Sequence, residues 1–209
     1  MAFPLDYAIS ALVTLAVVVD PVGLAPAFLA VTAGLPPPAR RQVAVRATLI
    51  AAAILTGAAV IGDWLLRTLA ISLPAFRIAG GLLLLWIATE MVFGTRTERK
   101  SRTLDDAVEE HVQNIAAFPL AIPLMAGPGA ITATVLLAGQ ARPDPVRLVV
   151  LVGAIVLVCA ACFVVFLAAT RIARLLGITG NVVLSRLLGV LLAALAVQFV
   201  IDGVRAAIG

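Results

Sequence analysis

The sequence predicts an all-α membrane protein of six transmembrane helices, arranged as two inverted three-helix repeats with broken first and fourth helices. Three observations carry this expectation. Six apolar segments long enough to cross a bilayer alternate with short polar connections. The third and sixth segments share a residue pattern, and so do the first and fourth. Pro and Gly interrupt the first and fourth segments near their middles.

Composition supports the first point. Hydrophobic residues make up 63% of the chain and charged ones 12%, too few polar side chains to cover a soluble domain. The excess of Arg sits mostly in the connections, where it meets anionic headgroups, so nucleic acid is not an expected partner. The N-terminus has neither a basic start nor a small-residue cleavage site, so the first apolar segment is expected to stay as a span. Cys159 and Cys162 lie within an apolar segment and read as small core residues rather than a redox or metal pair. His111 is the single histidine and has no companion ligands nearby in sequence. Neither a metal nor a cofactor is expected.

The spans are expected at residues 5–33, 43–66, 74–94, 115–139, 146–170 and 182–207. The first half is 1–94, a linker covers 95–113, and the second half is 114–209, all within one transmembrane domain. Pro36-Pro37-Pro38 and Pro143/Pro145 mark two connections where a helix is not expected to continue. The linker is basic first and acidic after, and reads as a solvated segment with a short capped helix after Thr103. Nine basic residues (Arg40, Arg41, Arg46, Arg96, Arg99, Lys100, Arg102, Arg171 and Arg174) fall on one side, against four (Arg67, Arg142, Arg147 and Arg205) on the other. The positive-inside rule then puts the linker in the cytoplasm and both termini outside.

The repeat rests on particular residues. Arg77-Ile-Ala-Gly80 lies over Arg186-Leu-Leu-Gly189, Thr89 over Gln198, and Gly94 over Gly203. Upstream, Leu-Ala-Ile71-Ser72 matches Leu-Gly-Ile178-Thr179, with two extra residues in the second copy. Asp20-Pro21-Val22-Gly23 in the first span corresponds to Gly127-Pro128-Gly129 in the fourth, roughly 107 residues later. Three spans is an odd number, so the second half must insert upside-down, an architecture frequent among secondary transporters.

The interruptions are the candidate site. Freed backbone groups at mid-membrane are costly unless buried in protein or lining a polar cavity. Asp20 and Pro21 read as the cap and first residue of a half-helix, with Gly23 in its first turn. Gly127, Pro128 and Gly129 open a second half-helix of opposite direction, whose amides and dipole suit a carboxylate. Thr132 and Thr134, one turn on, offer hydroxyls. Asp20 suits an ammonium group or a coupling cation, so a small zwitterion matches both halves. The plainer alternative is that Asp20 only caps a kinked helix and the glycines permit close packing. Arg77 and Arg186 are a symmetric pair read as gate or ion-pair residues, with snorkelling as the alternative. Gln198 and Asp202 are further coupling candidates, and Glu90, like them, has an interfacial alternative.

Three motifs carry a family resemblance: Asp20-Pro21-x-Gly23-x-x-Pro26-x-Phe28, Ala75-Phe76-Arg77-Ile78-Ala79-Gly80-Gly81, and Pro119-Leu120-Ala121-Ile122-Pro123-Leu124-x-Ala126-Gly127-Pro128-Gly129-Ala130-Ile131. Together they make the chain resemble the MarC family of integral membrane proteins over nearly its whole length. The resemblance implies six spans in a bacterial or archaeal inner membrane and kinship with the LysE-type exporter superfamily. Some members look like transporters of small neutral amino acids. It also implies that Asn is accommodated where Asp20 stands, which favours a capping or neutral ligand role.

The expected function is therefore secondary transport of a small neutral amino acid or similar solute. The expected partners are membrane lipid, the solute, and a coupling proton or sodium ion; a homo-oligomer is compatible with the composition. No P-loop is present for direct ATP coupling. A membrane enzyme lacks a nucleophile–base or metal arrangement to work with. A non-transporting assembly or regulatory protein has no need of an inverted repeat around broken helices.

Overall fold

The computed structural model describes residues 4–94, 116–141 and 144–208, and all regular structure among them is helical. Helix α1 (Leu5–Val19) is followed by a 3₁₀ turn (Val22–Leu24) and α2 (Ala25–Val31). Then come α3 (Pro37–Thr68) and α4 (Leu73–Phe93). After the linker lie a π-helix, α5 (Ala116–Met125), and α6 (Pro128–Ala141). The final helical stretch is broken at Gly177 into α7 (Pro145–Leu175) and α8 (Thr179–Ile208). The linker with His111, the helix expected after Thr103, and Arg142 and Pro143 lie outside the described residues.

Five segments are long and apolar enough to cross a membrane: Leu5–Val31, α3, α4, α7 and α8. The fourth expected span is occupied by α5 and α6, which are divided at Ala126-Gly127. At 14 residues α6 reaches about 21 Å, short of the roughly 30 Å core. The π geometry of α5 follows from Pro119 and Pro123, neither of which donates a helical hydrogen bond. At its end the Ala126 N–H reaches back five residues to the Ala121 carbonyl, at 2.9 Å.

Two connections are shorter than the sequence suggests. Helix α3 starts at Pro37 rather than residue 43, because proline in a first turn sacrifices no helical bond. Arg40, Arg41 and Arg46 therefore sit on α3, and Arg40 Nε donates to the Thr32 carbonyl at 3.2 Å, tying α2 to α3. The connection expected at 171–181 shrinks to the break at Gly177, since nothing from Arg171 to Leu175 opposes a helix.

The turn between α3 and α4 is hydrogen-bonded in the manner of a Schellman motif. Ile71 N–H donates to the Leu66 carbonyl (2.9 Å) and Ala70 N–H to the Arg67 carbonyl (3.1 Å), with Ala70 at φ 54°. Ser72 Oγ then accepts the Ala75 N–H and caps α4. Gly177, which the sequence match sets against Ala70, is likewise at positive φ (59°).

Three helix pairs organise the bundle. Helices α4 and α8 run antiparallel on glycines: Gly203 abuts Pro74, Arg77 and Ile78, and Gly189 abuts Ala88, Met91 and Val92. A Cβ on Gly81 would lie 2.8 Å from the Ala196 carbonyl oxygen, so the two backbones approach closely there. Helices α3 and α7 also run antiparallel. Ala59 and Val60 share a cavity with Pro145 and Leu148, while Val45 to Ala52 share a groove with Val156 to Phe163. The third antiparallel pair is α1 with α6, where Tyr7 meets Leu137 and Val18 meets Gly129. Outward-facing Leu49, Trp86, Val149 and Leu191 leave an apolar exterior suited to lipid.

Candidate functional site

The first break is built around Asp20, which is 2% exposed. Its backbone closes α1: φ is 56° and ψ 66°, and its N–H donates to the Ala16 carbonyl at 3.0 Å. This left-handed conformation is one that Asp and Asn tolerate better than other side chains. Its side chain opens the next turn, with Oδ1 accepting the Gly23 N–H at 3.0 Å. Asp20 thus ends one helix and caps the following turn, and Pro21 sets the backbone between the two roles. Gly23 is needed for this arrangement, because a Cβ there would lie 2.6 Å from Asp20 Cγ. A carboxylate at such depth costs about 3 kcal/mol on insertion scales, so its retention calls for a reason.

The second break presents donors instead. The first α-helical bond of α6 is from Ile131 N–H to the Gly127 carbonyl, at 3.0 Å. Pro128 has no N–H, and the amides of Gly129 and Ala130 precede the first acceptor within the helix. The helix dipole adds positive potential at the same end. Gly129 is buried against α1 and α4: a Cβ there would press on Ile87 Cδ1 and lie 3.4 Å from Val18 Cγ1.

The two breaks adjoin. Val18, two residues before Asp20, packs beside Gly129, two residues after Gly127, so a helix that ends meets one that begins. A buried carboxylate and the N-terminal amides of α6 therefore approach the same region of the bundle from antiparallel helices.

The other predicted residues divide. Thr132 and Thr134 are buried on α6. Thr132 turns its methyl toward Gly80 on α4, and Thr134 Oγ1 donates to the Ala130 carbonyl at 2.7 Å. Arg77 is half-buried at the start of α4 beside Gly203, and its Nε has no hydrogen-bond partner among the described residues. Arg186 is exposed, its guanidinium 4.0 Å from the Cβ position of Gly94 at the end of α4. The two arginines therefore occupy opposite ends of the α4–α8 pair. Gln198 Nε2 donates to Asp202 Oδ1 at 2.8 Å on the exposed side of α8. Val200, midway between them, packs against Gly81, about 9 Å along α4 from the Ile87 level where the breaks meet. Glu90 accepts the Trp86 indole N–H at 3.0 Å.

Some features escape a sequence reading. Ile87 and Leu84 wall the second break, but in an all-apolar helix nothing singles them out. Tyr7, the single tyrosine of the chain, donates to the Leu137 carbonyl at 2.9 Å and fastens α1 to α6; its lone polar ring in an apolar span was the available signal. A cavity of about 290 Å³ at the ends of α3 and α6 holds the Asp63–Arg67 ion pair (2.8 Å) together with Ser72. Among the described residues no cluster of His, Cys, Asp or Glu is arranged to hold a metal ion.

Comparison with known proteins places these features in context. The model of the MarC family of integral membrane proteins matches residues 5–208. A UPF0056 membrane protein of Methanocaldococcus jannaschii is 36% identical over 98% of this chain and 98% of its own. One from Aquifex aeolicus is 39% identical over 79% of this chain and 77% of its own. The UPF0056 membrane protein YhcE of Escherichia coli is 36% identical over 90% of this chain and 86% of its own. No solved structure matches.

Proposed function

The chain belongs to the MarC family of integral membrane proteins, and from that premise we propose that it is a secondary transporter of a small neutral amino acid or similar zwitterion. The observation that carries the reading is the meeting of the two breaks, with buried Asp20 on one side and the α6 amides on the other. The amides of Gly129 and Ala130 hold the solute carboxylate, and Asp20 faces its ammonium group or a coupling proton or sodium ion. Thr132 and Thr134 line the α6 side. Arg77 and Arg186 act at the two ends of the α4–α8 pair.

Transport by alternating access asks for two halves that rock about a shared site. The antiparallel pairs α4–α8 and α3–α7 support that arrangement, because each joins a helix of the first half to its counterpart in the second, and α1–α6 joins the two broken spans. So does the positive φ shared by Ala70 and Gly177. In this reading α5 and α6 together complete a sixth span. The protein sits in the cytoplasmic membrane of a bacterium or archaeon, with both termini outside and the 95–113 linker inside. It is a carrier rather than an enzyme.

Purified protein in liposomes, screened for uptake of labelled small amino acids under imposed proton or sodium gradients, tests the proposal. Saturable uptake of at least one zwitterion is expected. Uptake no faster than in protein-free liposomes for every solute and gradient contradicts it.

A further inference from the structure

Thr14 differs from several other helical threonines. Thr48, Thr68, Thr89 and Thr134 each donate to the carbonyl four residues back in their own helix, and Thr32, which caps α2, does the same. That is the usual resting place of a hydroxyl in an apolar helix. Thr14 is 1% exposed, yet its Oγ1 has no hydrogen-bond partner among the described residues. A buried hydroxyl left unpaired is costly, so it calls for an explanation.

Its position supplies one. Tyr7, Ala11, Thr14 and Val18 are all buried and recur at helical spacing along one stripe of α1. The ends of this stripe are pinned to α6, Tyr7 at Leu137 and Val18 beside Gly129. Because the helices are antiparallel, Thr14 falls opposite the intervening stretch of α6, which carries Thr132 and Thr134. It lies one turn, about 6 Å along α1, from the residue that touches the second break.

We propose that Thr14 is a solute-contacting residue of the transport site, its hydroxyl waiting for a polar group that enters the α1–α6 seam. The inference rests on the transport reading above and extends its site by one turn along α1. A hydroxyl both donates and accepts, so it serves either end of a small zwitterion. The short distance between Thr14 and the Gly129 end of α6 favours solutes no longer than one helical turn.

The test uses the full chain in liposomes, with glycine as the probe. Thr14→Val keeps the shape and removes the hydroxyl, and Thr14→Ser keeps the hydroxyl. If the hydroxyl serves the solute, Thr14→Val raises the KM for glycine about tenfold while its Tm stays at or above the wild-type value. Thr14→Ser then returns KM to within about threefold of wild type. A wild-type KM in Thr14→Val, with or without a lowered Tm, overturns the proposal.

A second measurement does not depend on transport. In a Cys159→Ala/Cys162→Ala background, Thr14→Cys should react with a small water-soluble methanethiosulfonate, because a solute site must be reached from water. Absence of reaction overturns the role of Thr14 even where glycine uptake is seen. Reaction in a protein whose wild type moves no zwitterion supports Thr14 as part of a hydrated site and removes the transport reading instead.

Discussion

The Asp20 carboxylate lies directly over Gly23: Oδ1 accepts the Gly23 N–H at 3.0 Å, and a Cβ on residue 23 would sit 2.6 Å from Asp20 Cγ. The pair acts as one unit, so changing either member displaces the other. Gly23→Ala is expected to cost about 1–3 kcal/mol through forced repacking and to lower Tm measurably. Asp20→Asn preserves both the cap and the left-handed backbone and is expected within about 0.5 kcal/mol of wild type. Thermal unfolding in detergent checks both, and a Gly23→Ala protein as stable as wild type contradicts this geometry.

Gly129 separates a packing role from a ligand role. Its added methyl meets the far end of the flexible Ile87 side chain, so Gly129→Ala is expected to fold with a modest loss of Tm. Adding Ile87→Val removes the obstructing Cδ1 and is expected to restore that Tm. Uptake is expected to remain impaired in the double variant, because the methyl still obstructs the α6 amides. Recovery of uptake along with Tm assigns Gly129 to packing alone.

Ala70 occupies a left-handed position at the end of α3 where glycine is preferred. Ala70→Gly is expected to raise stability by about 0.5–1 kcal/mol. Gly177, at φ 59° and ψ −172°, lies in a region nearly restricted to glycine, so Gly177→Ala is expected to cost about 1–3 kcal/mol despite the open space around it. Opposite-signed Tm shifts in the two variants are the expected result; equal signs contradict it.

Six crossings leave both termini on one side of the membrane, whereas five leave them on opposite sides. With nine basic residues against four, a periplasmic reporter fused after Gly209 and a cytoplasmic reporter inserted within 98–110 are both expected to be active. A cytoplasmic C-terminus together with a cytoplasmic linker means that α5 and α6 do not cross, and a cytoplasmic C-terminus with an external linker means that the orientation is reversed.

Much of the helix pattern was legible because apolar length is a strong signal, and the break at Gly127-Pro128 was legible because proline and glycine announce it. The span boundaries were less so. Proline reads as a terminator, yet Pro37 starts α3, since a first turn loses nothing by it. The charged stretch around Arg171 reads as a loop, yet α7 runs through it to Leu175. Within the site, Asp20 announced itself as a charge in an apolar span. That its backbone is left-handed and that it requires Gly23 depends on dihedral angles no residue pattern encodes. Ile87 and Leu84 were invisible for a different reason: an apolar wall in an apolar protein carries no compositional mark.

The most direct test of the account is glycine uptake into liposomes by wild type, Asp20→Ala and Gly129→Ala, reconstituted at equal amounts of folded protein. If solute binds where the two breaks meet, both variants lose at least about tenfold in kcat/KM relative to wild type. Wild-type uptake kinetics in both variants would show that the breaks are structural kinks and that solute passes elsewhere.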